Sequence, residues 1–307
     1  MRSVKFVILA GVLLLTALCC PARAAECVGA ELVKLKTTDG VELTGALRRA
    51  QPDRPNIGMV MVHGYSGNFY SSVMEYLPEA LNARGFCTLA INMRDHDQVP
   101  KRNLFEDNRH DIAAAIAEMD RRGCSPIFLY GHSMGTNQVL DYLVSTKDTR
   151  IAGLILTGPP GNLFDWNVKM FGQKQATQVL RHAQRLKANG QGEEWMLVDL
   201  GPLGKALYTA NHLVSLRGPE TFSDPLKNIA RVSAPVLIVQ GLDDRLADHQ
   251  TADRLQQQAG PGARVNVVKI AGAEHSFRSH QQELTAAIYG WLHEQLQHLS
   301  SQNRLDK

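Results

Sequence analysis

Six short apolar runs recur along this chain with amphipathic stretches between them: IGMVMV at 57–62, FCTLAI at 86–91, PIFLYG at 126–131, IAGLILTG at 151–158, PVLIVQG at 235–241 and VNVVKIAG at 265–272. A strand with apolar residues on both faces must be covered on both, and a parallel sheet between helices does this. The intervening SSVMEYLPEALNARG, DIAAAIAEMDRRG, TADRLQQQAG and QELTAAIYGWLHEQL carry apolar residues at helical spacing. Ahead of the runs, Glu31–Thr37 and Val41–Arg48 alternate polar and apolar residues across the turn dipeptide Asp39-Gly40, which predicts a hairpin of half-exposed strands. The pattern predicts an α/β fold, a mostly parallel twisted sheet of about eight strands with helices on both faces.

One region interrupts the alternation. Residues 162–228 hold no strong buried strand, but they do hold a helical stretch at Val168–Lys187 and a looser one with Trp195, Leu197, Leu200, Leu203, Leu207 and Tyr208. The expectation is a helical cap inserted between two strands whose ends open on the same face. Its Phe164, Trp166, Met170, Phe171, Trp195 and Met196 are candidates for the lining of an apolar pocket beneath that cap.

The chain begins with Arg2 and Lys5, then an apolar stretch from Phe6 to Cys20, then Ala22-Arg23-Ala24, as a cleaved secretory signal does. Residues 1–24 are read as that signal and 25–307 as one domain, periplasmic or secreted. Removing Arg2, Lys5 and Arg23 from the 33 basic residues leaves 30, equal to the 30 acidic ones. A neutral mature chain offers no basic field for nucleic acid, and no later stretch is apolar enough to span a membrane. Cys27, Cys87 and Cys124 remain, so one bridge, with Cys27–Cys87 the candidate pair, or three free thiols are open.

Gly131, His132, Ser133, Met134 and Gly135 follow the run PIFLYG directly, and TNQVLDYLV continues with apolar residues at helical spacing. A strand, a sharp turn and a helix lift a serine hydroxyl out of its surroundings, and small residues on either side let the two backbones pass. Such a serine needs a base, and on a parallel sheet the later strands end at the same crevice. After PVLIVQG come Asp243 and Asp244; after VNVVKIAG come Glu274 and His275.

With VMVHGYSG at 60–67, YGHSMG at 130–135, QGLDDRL at 240–246 and AGAEHSF at 271–277, the chain resembles the α/β-hydrolase superfamily over nearly its whole mature length. The resemblance implies Ser133 as nucleophile, His275 as general base and then acid, and Asp244 as the group that orients the imidazole, with Asp243 a solvated loop acid. It implies an oxyanion hole from the backbone N–H groups of Tyr65 and Met134, and His63 as a structural support of that loop. Around the elbow, GHSMGTNQVLDYL is also similar to the fungal siderophore-esterase type. The family's DxRGHG run is replaced here by Asn92-Met93-Arg94-Asp95-His96-Asp97, followed by a charged loop. Asp95, His96, Asp97, His110 and Asp111 are read as internally paired rather than metal-binding, so neither a metal nor a cofactor is expected. The expected activity is hydrolysis of a small-molecule carboxylic ester, thioester or lactone through an acyl-enzyme. An acyltransferase or peptidase of the same fold, or a non-catalytic binding protein, stands as the alternative.

Overall fold

The computed structural model describes residues 29–305 apart from 52, 53 and 55, so the segment read as a signal and Cys27 lie outside the described residues. Ten strands and nine α-helices are present among those described. In chain order they begin β1 (Glu31–Lys36), β2 (Glu42–Arg48), β3 (Ile57–Val62), α1 (Leu77–Asn82), β4 (Phe86–Ile91), α2 (Asn108–Arg121), β5 (Ile127–His132), α3 (Met134–Thr146) and β6 (Ile151–Thr157). After an excursion, β9 (Val236–Gly241), α8 (Thr251–Gln258), β10 (Val265–Ile270) and α9 (Gln281–Leu305) complete the chain. The eight-stranded sheet has the order β1-β2-β4-β3-β5-β6-β9-β10. β1 and β2 form the expected antiparallel hairpin, β2 runs antiparallel to β4, and the six apolar runs are parallel to one another.

The continuous apolar runs have a direct physical reading. Met59 and Met61 of β3 point into a core with Phe128, Tyr130, Ile155, Leu237 and Val239, covered by α1 and α9 through Leu81, Leu284, Ile288 and Leu292. Val60 and Val62, one residue out of phase, enter the opposite core with Leu129, Leu154, Leu156 and Ile238 under Ile112, Ile116, Val139, Leu140 and Leu255 of α2, α3 and α8. A side-chain period of two thus divides each strand between two cores. Removing one of these side chains to alanine costs about 2–5 kcal/mol.

The excursion from 163 to 229 departs from an all-helical cap. It contains α4 (Leu163–Phe171), α5 (Gln173–Ala188), β7 (Trp195–Asp199), β8 (Lys205–Thr209), α6 (Ala210–Arg217) and α7 (Pro225–Ile229). The stretch read as a loose helix is an antiparallel hairpin, with Met196 paired to Tyr208 and Val198 to Ala206. Those four side chains are buried with Leu200 and Leu213, while Trp195, Leu197 and Leu207 on the other face are 48%, 65% and 41% exposed. Apolar residues on both faces hid the alternation. The helix expected across 168–187 is broken at Gly172, whose φ of 86° ends α4 and starts α5.

The loop from 92 to 111 is joined to this cap. Lys101 forms a bridge with Tyr208 through Lys101 N–H to Leu207 O (2.8 Å) and Thr209 N–H to Lys101 O (2.9 Å). Its buried ammonium donates to the carbonyls of Asp95 and Asp97 at 2.6 and 2.7 Å, and burial pulls its pKa down to about 8. Among the described residues no helix is long and apolar enough to cross a membrane. Cys87 and Cys124 are buried free thiols.

Candidate active site

Ser133 sits between β5 and α3 with φ 53° and ψ −125°, a conformation that costs an L-residue about 1–3 kcal/mol. The flanking glycines are required by close approach. A Cβ on Gly131 would meet the Gly135 carbonyl oxygen at 2.4 Å, and one on Gly135 would lie 2.5 Å from Val62 O and 2.7 Å from His63 O. The turn is therefore wedged between its own helix and β3, and Ser133 N–H is tied to Thr157 O at 2.9 Å. The N-terminus of α3 lies directly after the serine, where the helix favours negative charge.

His275 follows β10 and Asp244 follows β9, 31 residues earlier. His275 Nδ1 and Asp244 Oδ2 are 2.7 Å apart. The other carboxylate oxygen, Oδ1, accepts the N–H groups of Leu246 and Ala247, both at 2.8 Å, and Gln240 Nε2 donates to Oδ2 at 3.3 Å. Asp244 is buried, whereas Asp243 is exposed. With Nδ1 facing the carboxylate, Nε2 is the ring nitrogen left for a reacting proton. Gly158, at φ 55°, makes room for this pair, since a Cβ there would stand 3.2 Å from the imidazole.

Ser133, His275, Tyr65 and Met134 line one cavity of about 270 Å³, with Trp166, Leu200, Leu203, Leu246 and Arg217 among the other walls. Tyr65 and Met134, whose backbone N–H groups are the expected oxyanion donors, thus border the same cavity as Ser133. Of the cap residues expected to line a pocket, Trp166 does so and ties its indole N–H to Leu246 O at 2.8 Å. Met196 instead belongs to the cap core, and Trp195 faces outward.

His63 holds the loop that carries Tyr65. Its Nε2 accepts Met93 N–H at 3.1 Å, so Nδ1 carries the proton and donates to Gly64 O at 2.7 Å. Burial holds its pKa down at about 4. His132, given no role by the sequence, places its ring 4.8 Å from that of His275 at a 45° tilt and contacts Thr157 Oγ1 and Ser72 Oγ at 3.1 and 3.3 Å. Burial keeps it well below the ordinary imidazole range, so a neutral ring backs His275. The five acids and histidines of the 92–111 loop separate: Asp111 pairs with Arg94, His96 with Asp97, His110 with Thr38 and Asp95 with Asn103.

An α/β hydrolase is the class that this sheet and its elbow define. More narrowly, the chain belongs to the family described as serine aminopeptidase, S33, which it matches over residues 53–281. It is similar to a monoglyceride lipase of Saccharomyces cerevisiae, 23% identical over 248 residues that span 72% of this chain and 78% of the relative. Among solved structures, Est1E of Butyrivibrio proteoclasticus with bound ferulic acid superposes with a TM-score of 0.64 at 19% identity, covering 86% of this chain and 99% of that one. An esterase of Pyrococcus furiosus gives 0.62 at 16% identity over 88% and 92%.

Proposed function

We propose that the protein is an exported serine hydrolase that cleaves a carboxylic ester, thioester or lactone of a small molecule, with Ser133, His275 and Asp244 as its triad. The observation that carries this reading is the convergence of the elbow serine, an Asp-paired imidazole and the backbone of Tyr65 and Met134 on one cavity. Ser133 Oγ attacks the carbonyl carbon while its proton passes to His275 Nε2. The carbonyl oxygen gains the electron pair and takes the N–H groups of Tyr65 and Met134, each worth about 3 kcal/mol in the transition state. Collapse expels the alcohol, thiol or tethered hydroxyl with the proton from His275, leaving an acyl-serine. Water, deprotonated by the same nitrogen, then attacks the acyl carbon and releases the acid and free Ser133.

The family description makes an aminopeptidase the second reading. A free α-amino group enters as an ammonium, and no Asp or Glu side chain lines the cavity among the described residues. A cation there would lie unpaired beside Arg217, which favours an ester. Both the relative named as a lipase and the esterase neighbours support that choice. Hydrolysis of p-nitrophenyl acetate, butyrate and hexanoate by wild type, abolished in Ser133→Ala, is expected; cleavage of aminoacyl anilides but no ester would overturn it. Export rests on the opening Arg2-to-Ala24 segment, and a mature N-terminus near Ala25 in a periplasmic or culture fraction would support it.

A further inference from the structure

Among the described residues no acid pairs with one cation in the cavity wall. Arg217, the last residue of α6, is 5% exposed and lines the cavity that carries Ser133. Its Nε and Nη1 are sealed from solvent without any hydrogen-bond partner. The guanidinium carbon lies 5.3 Å from the centre of the Tyr208 ring, a face contact that leaves the in-plane N–H donors unused. Tyr208 in turn donates its hydroxyl hydrogen to Tyr65 Oη at 2.7 Å, so that oxygen is already engaged. Asp95, the buried acid on the far side of Tyr65, is occupied by Asn103 and sits 3.7 Å from His212. The other charged group in that region, Lys101, is itself cationic and is 5.6 Å from the Tyr65 ring.

A buried guanidinium with two unpartnered donors is costly, and because the residue lines a ligand cavity, an anion bound there can offset that cost through its charge even though Nε and Nη1 themselves are sealed. A position at the C-terminus of α6 stabilises the cation through the helix ends but supplies no acceptor for Nε or Nη1. Apolar Leu200, Leu203, Leu246 and Trp166 line the same cavity, whose polar walls are serines, histidines and Tyr65 with no other full charge, so an anion brought here is only weakly screened from Arg217. We infer that Arg217 determines specificity by selecting esters that carry a second, ionised carboxylate remote from the scissile carbonyl, such as half-esters of short dicarboxylic acids. At about 270 Å³ the cavity has room for one short chain and its charged end. This selection rests on the ester-hydrolase reading of the same site.

Matched substrates test it. Monomethyl adipate and methyl hexanoate present the same acyl length with and without the charge, and carboxymethyl butyrate and ethyl butyrate place the charge on the alcohol side. The wild type favours the charged member of at least one pair in kcat/KM, chiefly through KM, and adipate competitively inhibits methyl hexanoate hydrolysis. In Arg217→Gln the charged-to-neutral ratio falls by about tenfold to hundredfold, the range for a hydrogen bond to a charged group, and Arg217→Lys restores part of it. A ratio near one for both pairs in wild type, or one unchanged in Arg217→Gln, overturns the assignment. Failure of the wild type to hydrolyse any neutral ester or to react with a fluorophosphonate would instead overturn the hydrolase reading. Inhibition by adipate is read on the wild type alone and does not depend on how well the variants fold.

Discussion

At the scale of single residues, the division of labour between two adjacent acids is the sharpest consequence of the geometry. Asp244 accepts from His275 and two backbone N–H groups, while Asp243 is exposed. Asp244→Asn should keep the fold but present the wrong group to Nδ1, lowering kcat by about 10⁴-fold; Asp243→Asn should stay within about twofold of wild type. Steady-state hydrolysis of a p-nitrophenyl ester reads both, and equal losses would remove Asp244 from the mechanism. A second test lies in the serine's backbone. At φ 53° Ser133 is strained, so Ser133→Gly, although inactive, should melt above Ser133→Ala, with the two separated by about 1 kcal/mol. Equal melting temperatures would mean that the turn stores no strain.

Among elements, the elbow and the terminal helix make opposite predictions for the same substitution. Gly135→Ala drives a Cβ into the carbonyls of Val62 and His63 on β3, and a rigid strand cannot yield, so a loss of about 2–3 kcal/mol and of activity is expected. Gly290, inside α9, is exposed and has nothing within 4 Å of its would-be Cβ. Gly290→Ala should therefore gain about 0.5–1 kcal/mol. Urea denaturation of the two variants decides the matter. Elements also explain what could be read in advance. β3, β5 and β9 were legible because burial on both faces leaves an unbroken apolar run, and Ser133, Asp244 and His275 were legible because each follows such a run. The β7–β8 hairpin was not, since exposed Trp195, Leu197 and Leu207 mask its period of two. The Lys101 bridge to Tyr208 links residues more than 100 positions apart and leaves no local trace. Arg217 was equally invisible: an arginine ending a short helix looks like any surface cation, and its isolation is a property of packing alone.

For the whole molecule, buried neutral histidines set the response to acid. Burial holds His63 at about 4 and His212 at about 3, with His132 shifted the same way. Each takes up a proton on unfolding once the pH falls below the ordinary value near 6.5, so the stability they confer is whole above that pH and is lost as pH falls toward their folded values. Asp111, held up at about 6 by burial against its Arg94 contacts, works in the opposite sense. The histidines therefore make stability fall as the pH drops below about 6, and the two carboxyls that burial raises, Asp111 and Asp95, offset part of that fall. Denaturant titrations at pH 7.5, 6 and 5 check this, and a flat profile would show that these rings are solvated.

Hydrolysis by this route requires Ser133 to be a nucleophile activated by His275 in the intact protein. Mass spectrometry after treatment with a fluorophosphonate measures this directly. One adduct per chain, mapped to the peptide containing Ser133, formed by wild type and by Asp243→Asn but absent in Ser133→Ala and strongly slowed in His275→Ala, is the predicted result. No adduct on folded wild type, or labelling undiminished in His275→Ala, would contradict it.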